Sequence, residues 1–114
     1  MKKTALAFLV FSFFFICIQS FGKDLRVEEV TFASHGATLS GSIVFPENQP
    51  VHAAVVFIHG SGKQTRNLGL AERFASEGIV ALVYDKRGAG KSGGVYESEQ
   101  SVSEKNIALL ADDA

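Results

Sequence analysis

Cysteine is almost absent. The 114 residues contain one, Cys17, and a lone thiol closes no intrachain disulfide, so a cross-linked scaffold is excluded. Basic excess is also missing. Eleven Lys and Arg face twelve Asp and Glu, a formal net charge of −1, which offers no electrostatic footprint for nucleic acid or an anionic membrane. Long apolar runs are lacking too. The stretch from Ala5 to Ile18, broken only by Ser12, falls short of the ~20 apolar residues that a membrane span needs. The three histidines and the acids fall at no short metal-ligand spacing. There is no internal repeat, and no low-complexity segment follows the apolar run.

What the N-terminus does hold is a short basic start, Lys2-Lys3, then that apolar run, then Ser20-Phe21-Gly22. Ser20 and Gly22 put small residues at the −3 and −1 positions of a cut after Gly22. This is the pattern of an export signal. The expectation is a signal peptide over 1–22, with a cut after Ser20 as second choice, and a periplasmic or secreted product with no stable membrane anchor. An uncleaved N-terminal anchor is the alternative. A lipoprotein signal does not fit, because Phe15-Ile16 rather than a small residue precedes Cys17. After the cut, nine basic residues face twelve acidic ones and no thiol remains. A chain of about 92 residues buries apolar area inefficiently, which suggests part of a larger fold.

Leu25–Ala33 and Thr38–Phe45 read as strands around a Ser34-His35-Gly36 turn, an antiparallel hairpin. The second alternates, with Leu39, Gly41, Ile43 and Phe45 on one face and Thr38, Ser40, Ser42 and Val44 on the other. Pro46 to Pro50 is a polar loop. Ala53-Ala-Val-Val-Phe-Ile-His59-Gly-Ser-Gly62 is a short apolar run stopped by glycines. It reads as a strand buried on both faces, inside a parallel sheet. A helix is expected from about Asn67 to Glu77, on the apolar stripe of Leu70, Ala71, Phe74 and Ala75, with Gly78 as its left-handed cap. Ile79–Tyr84 is a second apolar strand, so strand, helix and strand form a βαβ unit. A last helix is expected from the Ser101-Val102-Ser103-Glu104 capping box, with Ile107, Leu110, Ala111 and Ala114 on its apolar face.

The loop Asp85-Lys-Arg-Gly-Ala-Gly-Lys-Ser-Gly-Gly94 has three readings. Gly88 to Gly93 spells a dinucleotide fingerprint, but no helix opens inside it to meet a pyrophosphate. Gly90-Lys91-Ser92 ends like a P-loop, but Asp85 stands where the first glycine belongs. The favoured reading is structural, with Asp85 and Arg87 bracing neighbouring loops through charge-assisted hydrogen bonds. No cofactor motif survives its context.

In this order the elements resemble the N-terminal portion of an α/β-hydrolase, closest to serine hydrolases of the esterase, acyl-thioesterase and serine-aminopeptidase kind. Two motifs carry the resemblance: His59-Gly60 after the third strand, and Asp85-x-Arg87-Gly88-x-Gly90-x-Ser92 after the fourth. It implies an α/β fold in which the hairpin leads into a mainly parallel sheet with a βαβ unit, incomplete in this chain. It implies that Ser61 gives its backbone N–H to an oxyanion hole, that Gly60 lets the chain turn, and that His59 supports the loop rather than acting as base. Asp85, Arg87, Gly88, Gly90 and Ser92 would shape the loop beside the active-site mouth. The family's acid and base come late in the chain, so Asp85 is not the expected triad acid, and His35 and His52 are expected at the surface.

The nucleophile elbow, Gly-x-Ser-x-Gly, is expected after a strand that follows the last helix, and the sequence reading assigns none in the chain. Residues 23–114 are thus expected to be the N-terminal part of a hydrolase domain cut before its elbow, ending in an uncapped helix. The record is either incomplete or a natural truncation. The functional expectation is a fragment, itself inactive, of an exported serine hydrolase. Its substrate would be a small-molecule or peptide acyl compound, cleaved at an ester, thioester or peptide bond through an acyl-enzyme. The alternative is a non-catalytic periplasmic binding or interaction module.

Overall fold

The structure, a computed structural model, describes residues 24–96 and 103–114. The signal-peptide reading of 1–22 and the Ser101 end of the capping box lie outside these residues. Among the described residues four strands form one sheet: β1 (Leu25–Ser34), β2 (Ala37–Pro46), β3 (Ala53–Val56) and β4 (Ile79–Tyr84), in the spatial order β1-β2-β4-β3. The helices are α1 (Leu68–Ser76) and α2 (Glu104–Asp112).

β1 and β2 form the antiparallel hairpin, with Val30 opposite Gly41 and Phe32 opposite Leu39. β4 then inserts between β2 and β3. It runs antiparallel to β2, pairing Val44 with Ala81, and parallel to β3, pairing Val55 with Ala81. The sheet is therefore mixed, and parallel pairing among the described residues is confined to β3 and β4.

The alternation along β2 divides two packed layers. Val44 joins Ala81 and Val83 of β4 beneath Ala71 and Ala75 of α1, and Leu25, Val55, Phe57 and Phe74 close that core. On the opposite face Leu39 packs with Ala37, Tyr84 and Phe32. The Phe32 and Tyr84 rings meet edge-on at 5.7 Å, and Phe57 meets Phe74 in the same way at 5.0 Å. Such edge contacts put the positive ring edge over the negative face. β2 is thus an interior strand, covered on both sides.

β3 is the correction. The expected doubly buried strand is the edge of the described sheet, and Val56 and Ile58 are 47% and 60% exposed. Of the two apolar runs, β4 and not β3 is flanked on both sides. An apolar run without polar alternation fits an interior strand, but the sequence does not say which of two such runs lies inside.

α1 begins where expected. The Asn67 side chain accepts from the Leu70 N–H at 3.0 Å, capping one orphan donor. It ends at Gly78, with φ +83°, where a Cβ would sit 2.7 Å from the His52 ring and 2.9 Å from the Pro50 carbonyl. Only glycine fits there, because conformation and space both forbid a side chain.

α2 departs from expectation twice. Its cap is Ser103, whose hydroxyl accepts from the Asn106 N–H at 3.1 Å. Its last turn keeps helical geometry through Asp113, whose N–H donates to the Leu109 carbonyl at 3.0 Å. The expected apolar face is also rotated. Asn106 and Asp113 are the buried residues, while Ile107 is 55% exposed. Polar anchoring at Asp113, described below, sets which side of α2 turns inward.

Candidate functional site

Parallel strands β3 and β4 both end in loops on the same side, over residues 57–67 and 85–94. Open α/β sheets place their ligands outside the carboxyl ends of such strands. These two loops are laced together by side chains that the sequence reading did not single out, chiefly Lys86 and Arg66.

Lys86 is fully buried. Its Nζ donates to the Gly60 and Gly62 carbonyls, at 2.7 Å each, and lies 4.1 Å from the centroid of the Tyr96 ring. The described residues contain no cis peptide. In a planar trans peptide the N–H points opposite to the C=O. With the carbonyls of Gly60 and Gly62 drawn inward to Lys86, the N–H groups of Ser61 and Lys63 point away from it. A loop with its carbonyls tied inward and its amides free is able to stabilise an oxygen that gains negative charge.

The rest of the loop is fixed by His59 and Gln64. His59 Nε2 lies 2.5 Å from the Tyr84 carbonyl and donates to it, since a carbonyl only accepts, and Nδ1 lies 3.1 Å from Gln64 Oε1. Gln64 Nε2 donates to the Ser61 carbonyl at 3.0 Å. His59 is held within the loop by the bond from Nε2 to the Tyr84 carbonyl. The turn residue is Gly62, with φ +81°. Gly60 was the expected one, but it has no positive φ, and a Cβ there would meet nothing within 4 Å.

Asp85 stands at the end of β4, 4% exposed. It accepts from the Arg66 backbone N–H at 2.8 Å, from Arg66 Nη2 at 2.9 Å and from the Lys91 N–H at 2.9 Å. Burial pushes its carboxyl up, but the bonds from the Arg66 side chain and backbone and from Lys91 outweigh this and hold it at about 2. Arg66 in turn donates to Ser40 Oγ at 2.6 Å, Ser42 Oγ at 2.7 Å and Glu29 Oε2 at 2.8 Å. The hydrogen bonds to Asp85 raise its own pKa. The alternation of β2 explains the meeting: Ser40 and Ser42 share the face of Val44, on which α1 and the loop before it lie. Gly90, at φ +52°, lets the chain fold over this carboxylate, where a Cβ would fall 2.5 Å from Asp85 Oδ2.

Arg87, also 4% exposed, grips Asp113 at the end of α2. Nε donates to Oδ2 at 3.0 Å and Nη2 to Oδ1 at 2.5 Å, while Nη2 also reaches the Ser34 carbonyl at 2.9 Å. The forked geometry suits a carboxylate. It joins three elements: the β1–β2 turn, the loop after β4, and α2. Gly88, at φ +72°, donates its N–H to the Gly93 carbonyl at 3.0 Å and so closes the loop on itself.

No protein-family model matches the chain, and no curated protein matches it. Solved structures do. The alpha/beta hydrolase GrgF from Penicillium sp. sh18 matches with a TM-score of 0.51 at 28% identity, over 77% of this chain and 30% of that one. The hypothetical protein PA2218 from Pseudomonas aeruginosa matches with a TM-score of 0.54 at 25% identity, over 78% of this chain and 28% of that one. The chain has a partial α/β-hydrolase fold. It spans less than a third of either solved chain.

Within an α/β-hydrolase fold the nucleophile elbow is a strand–turn–helix device. One stretch that the sequence reading overlooked spells its letters: Gly90-Lys91-Ser92-Gly93-Gly94. The structure does not give it that form. It lies six residues beyond the end of β4, inside a loop of turns, and the next described helix starts at Glu104. The Ser92 hydroxyl donates to the Asp85 carbonyl at 2.5 Å and accepts from the Ser40 N–H at 2.9 Å. Both roles are taken, and the hydroxyl is tied to backbone instead of exposed. Nor, among the described residues, does a helix N-terminus meet the loop, as either phosphate-binding reading would require.

Proposed function

We propose that this chain is the N-terminal part of an exported serine hydrolase domain, with residues 1–22 as its signal peptide. In this reading the domain cleaves an ester, thioester or peptide bond through an acyl-enzyme. The chain supplies the Ser61 N–H to the oxyanion hole. The serine nucleophile, acid and base lie outside these 114 residues, and the exposed apolar side chains of Val56 and Ile58 are covered by the strand and helix that bring the nucleophile. The observation that carries the reading is the tie from Lys86 Nζ to the Gly60 and Gly62 carbonyls, which frees the Ser61 amide. The fold shared with an alpha/beta hydrolase supports it.

A fluorophosphonate probe applied to the protein expressed from its complete gene tests this. One serine outside residues 1–114 should be labelled, within a Gly-x-Ser-x-Gly that follows a strand. Labelling at Ser61 or Ser92, or no labelling of a folded protein, overturns the assignment, and the second outcome leaves the non-catalytic module.

The same reading gives Lys86 a measurable role. In Lys86→Met the two carbonyls lose their donor and the loop is free to turn its amides elsewhere. Loss of one oxyanion donor costs about 10²–10³ in kcat, and steady-state kinetics of the complete gene product should show a fall of that order with KM little changed. A rise in KM at constant kcat would assign Lys86 to substrate binding instead.

A further inference from the structure

Between the loop after β3 and the first turns of α2 lies a cavity of about 230 Å³. Gly60 and Ser61 line one side of it, and Tyr96, Ile107 and Leu110 the other. The peptide joining Gly60 to Ser61 is the one whose carbonyl is tied to Lys86 and whose N–H is the oxyanion donor of the reading above. The lining holds no Asp, Glu, Lys or Arg. His59 adds its ring, with Nε2 already bound to the Tyr84 carbonyl. Lys86 is fully buried against the Tyr96 ring, so its charge is not offered to the cavity. The polar atoms of the Asn106 amide are buried and do not face it.

Ile107 and Leu110 stand three residues apart on α2 and so share a face. Asn106 and Asp113 take the inward side of the helix, and Arg87 holds Asp113 there. That rotation leaves Ile107 and Leu110 outside both packed layers of the sheet, with Ile107 55% exposed. In acyl transfer the carbonyl oxygen sits on the oxyanion donor, so both substituents of the carbonyl carbon lie close to that donor. The leaving group must depart so that water can take its place, while the acyl chain stays through both half-reactions. A walled apolar cavity beside the donor suits the group that stays.

We propose that this cavity holds the acyl chain of the substrate, and that Ile107, Leu110 and Tyr96 set its length. An apolar cavity of about 150 Å³ holds one benzene molecule, so this one takes a chain of roughly six to nine carbons and not a long fatty acyl chain. With no counter-charge in the wall, nothing offsets the desolvation of an acyl group that carries a carboxylate or an ammonium. This rests on the hydrolase reading and narrows it: the substrate class is an ester or thioester of an uncharged acyl group of short to medium length.

The test uses the protein from its complete gene and nitrophenyl esters of straight-chain acids from acetyl to palmitoyl. kcat/KM should rise about 3–5-fold for each methylene that enters the cavity, peak at roughly six to nine carbons and fall beyond. Ile107→Trp should move the peak to shorter chains and Leu110→Ala to longer ones. Opposite shifts do not come from a general loss of folding, and Ile107 is too exposed for its replacement to disturb a core. As a second readout, hexanamide should saturably shift the ¹³C-methyl signals of Ile107 and Leu110. The monoamide of adipic acid, of the same length but ending in a carboxylate, should not. A rate that climbs to palmitoyl without a peak, a peak that neither variant moves, or equal response to the two amides overturns the proposal. So does a peak that follows the alcohol length of alkyl acetates instead, which would place the leaving group in the cavity. Any of these in a protein that the fluorophosphonate probe labels sinks the cavity proposal alone. Methyl shifts with hexanamide in a protein that resists the probe sink the hydrolase reading and keep the apolar site.

Discussion

Asp113→Ala should destabilise the protein by about 3–5 kcal/mol, the usual cost of removing one partner from a buried ion pair. Arg87 and Asp113 are 4% and 5% exposed. Without the carboxylate the guanidinium keeps only backbone acceptors, the carbonyls of Ser34 and His35. A buried charge without its counter-charge is the expensive state, not the absence of the pair. Hence Arg87→Met combined with Asp113→Leu should lose less than Asp113→Ala alone, because well-packed apolar replacements of buried pairs are often near neutral. Urea unfolding of the three variants measures this. The damage should also be local: α2 carries acidic residues, Asp112 and Asp113, at its C-terminal end, where the helix dipole disfavours them. Arg87 compensates that charge, so amides of α2 should lose hydrogen-exchange protection first. A loss in Asp113→Ala below about 1 kcal/mol, the range of exposed pairs, would mean that water reaches the pair.

This pair also marks how far the sequence could be read. Local signals served well. The hairpin turn, the α1 stripe with Asn67 and Gly78 at its ends, and the apolar β4 are written in neighbouring residues, and the structure has them there. Strand order was not legible in the same way. β3 and β4 are equally apolar, and what puts β4 inside is its second pairing, to β2. The inward side of α2 was hidden for a related reason. Apolar periodicity pointed to Ile107 and Ala111, but Asp113 is pulled inward by Arg87, 26 residues earlier. At the candidate site, motif letters drew attention to Asp85, Arg87 and Ser92 but passed over their partners. Arg66 and Lys86 look like solvated surface charges in the sequence. One signal for Arg66 was present: Ser40 and Ser42 on the face of β2 that also carries Val44, a polar step that a core-facing strand tolerates only with a partner. For Lys86 there was none, since its acceptors are main-chain carbonyls, which every sequence supplies.

Asp85→Asn should remove most of the acid sensitivity that this fold derives from its loop network. The Asp85 carboxyl titrates at about 2 when folded, against an ordinary 3.8. A depressed carboxyl binds its proton less readily in the folded state than in the unfolded one. Its stabilisation is therefore complete above pH 3.8 and is lost as the pH falls from there through about 2. The difference corresponds to about 2–3 kcal/mol. The unfolding free energy of the native protein, from urea titrations, should fall by that much between about pH 4.5 and 2, and Asp85→Asn should show a correspondingly flatter limb over the same range. The variant starts lower at neutral pH, because an amide replaces a charged acceptor that serves Arg66 twice along its side chain and once along its backbone. Glu29 also titrates below its ordinary value, through Ser42 first and then Arg66, but it is exposed to solvent, so its share is screened. If the acid limbs of the two proteins run parallel, the low-pH loss belongs to other carboxylates. The clamp of Arg66 on Asp85 would then order the loops without setting their acid stability.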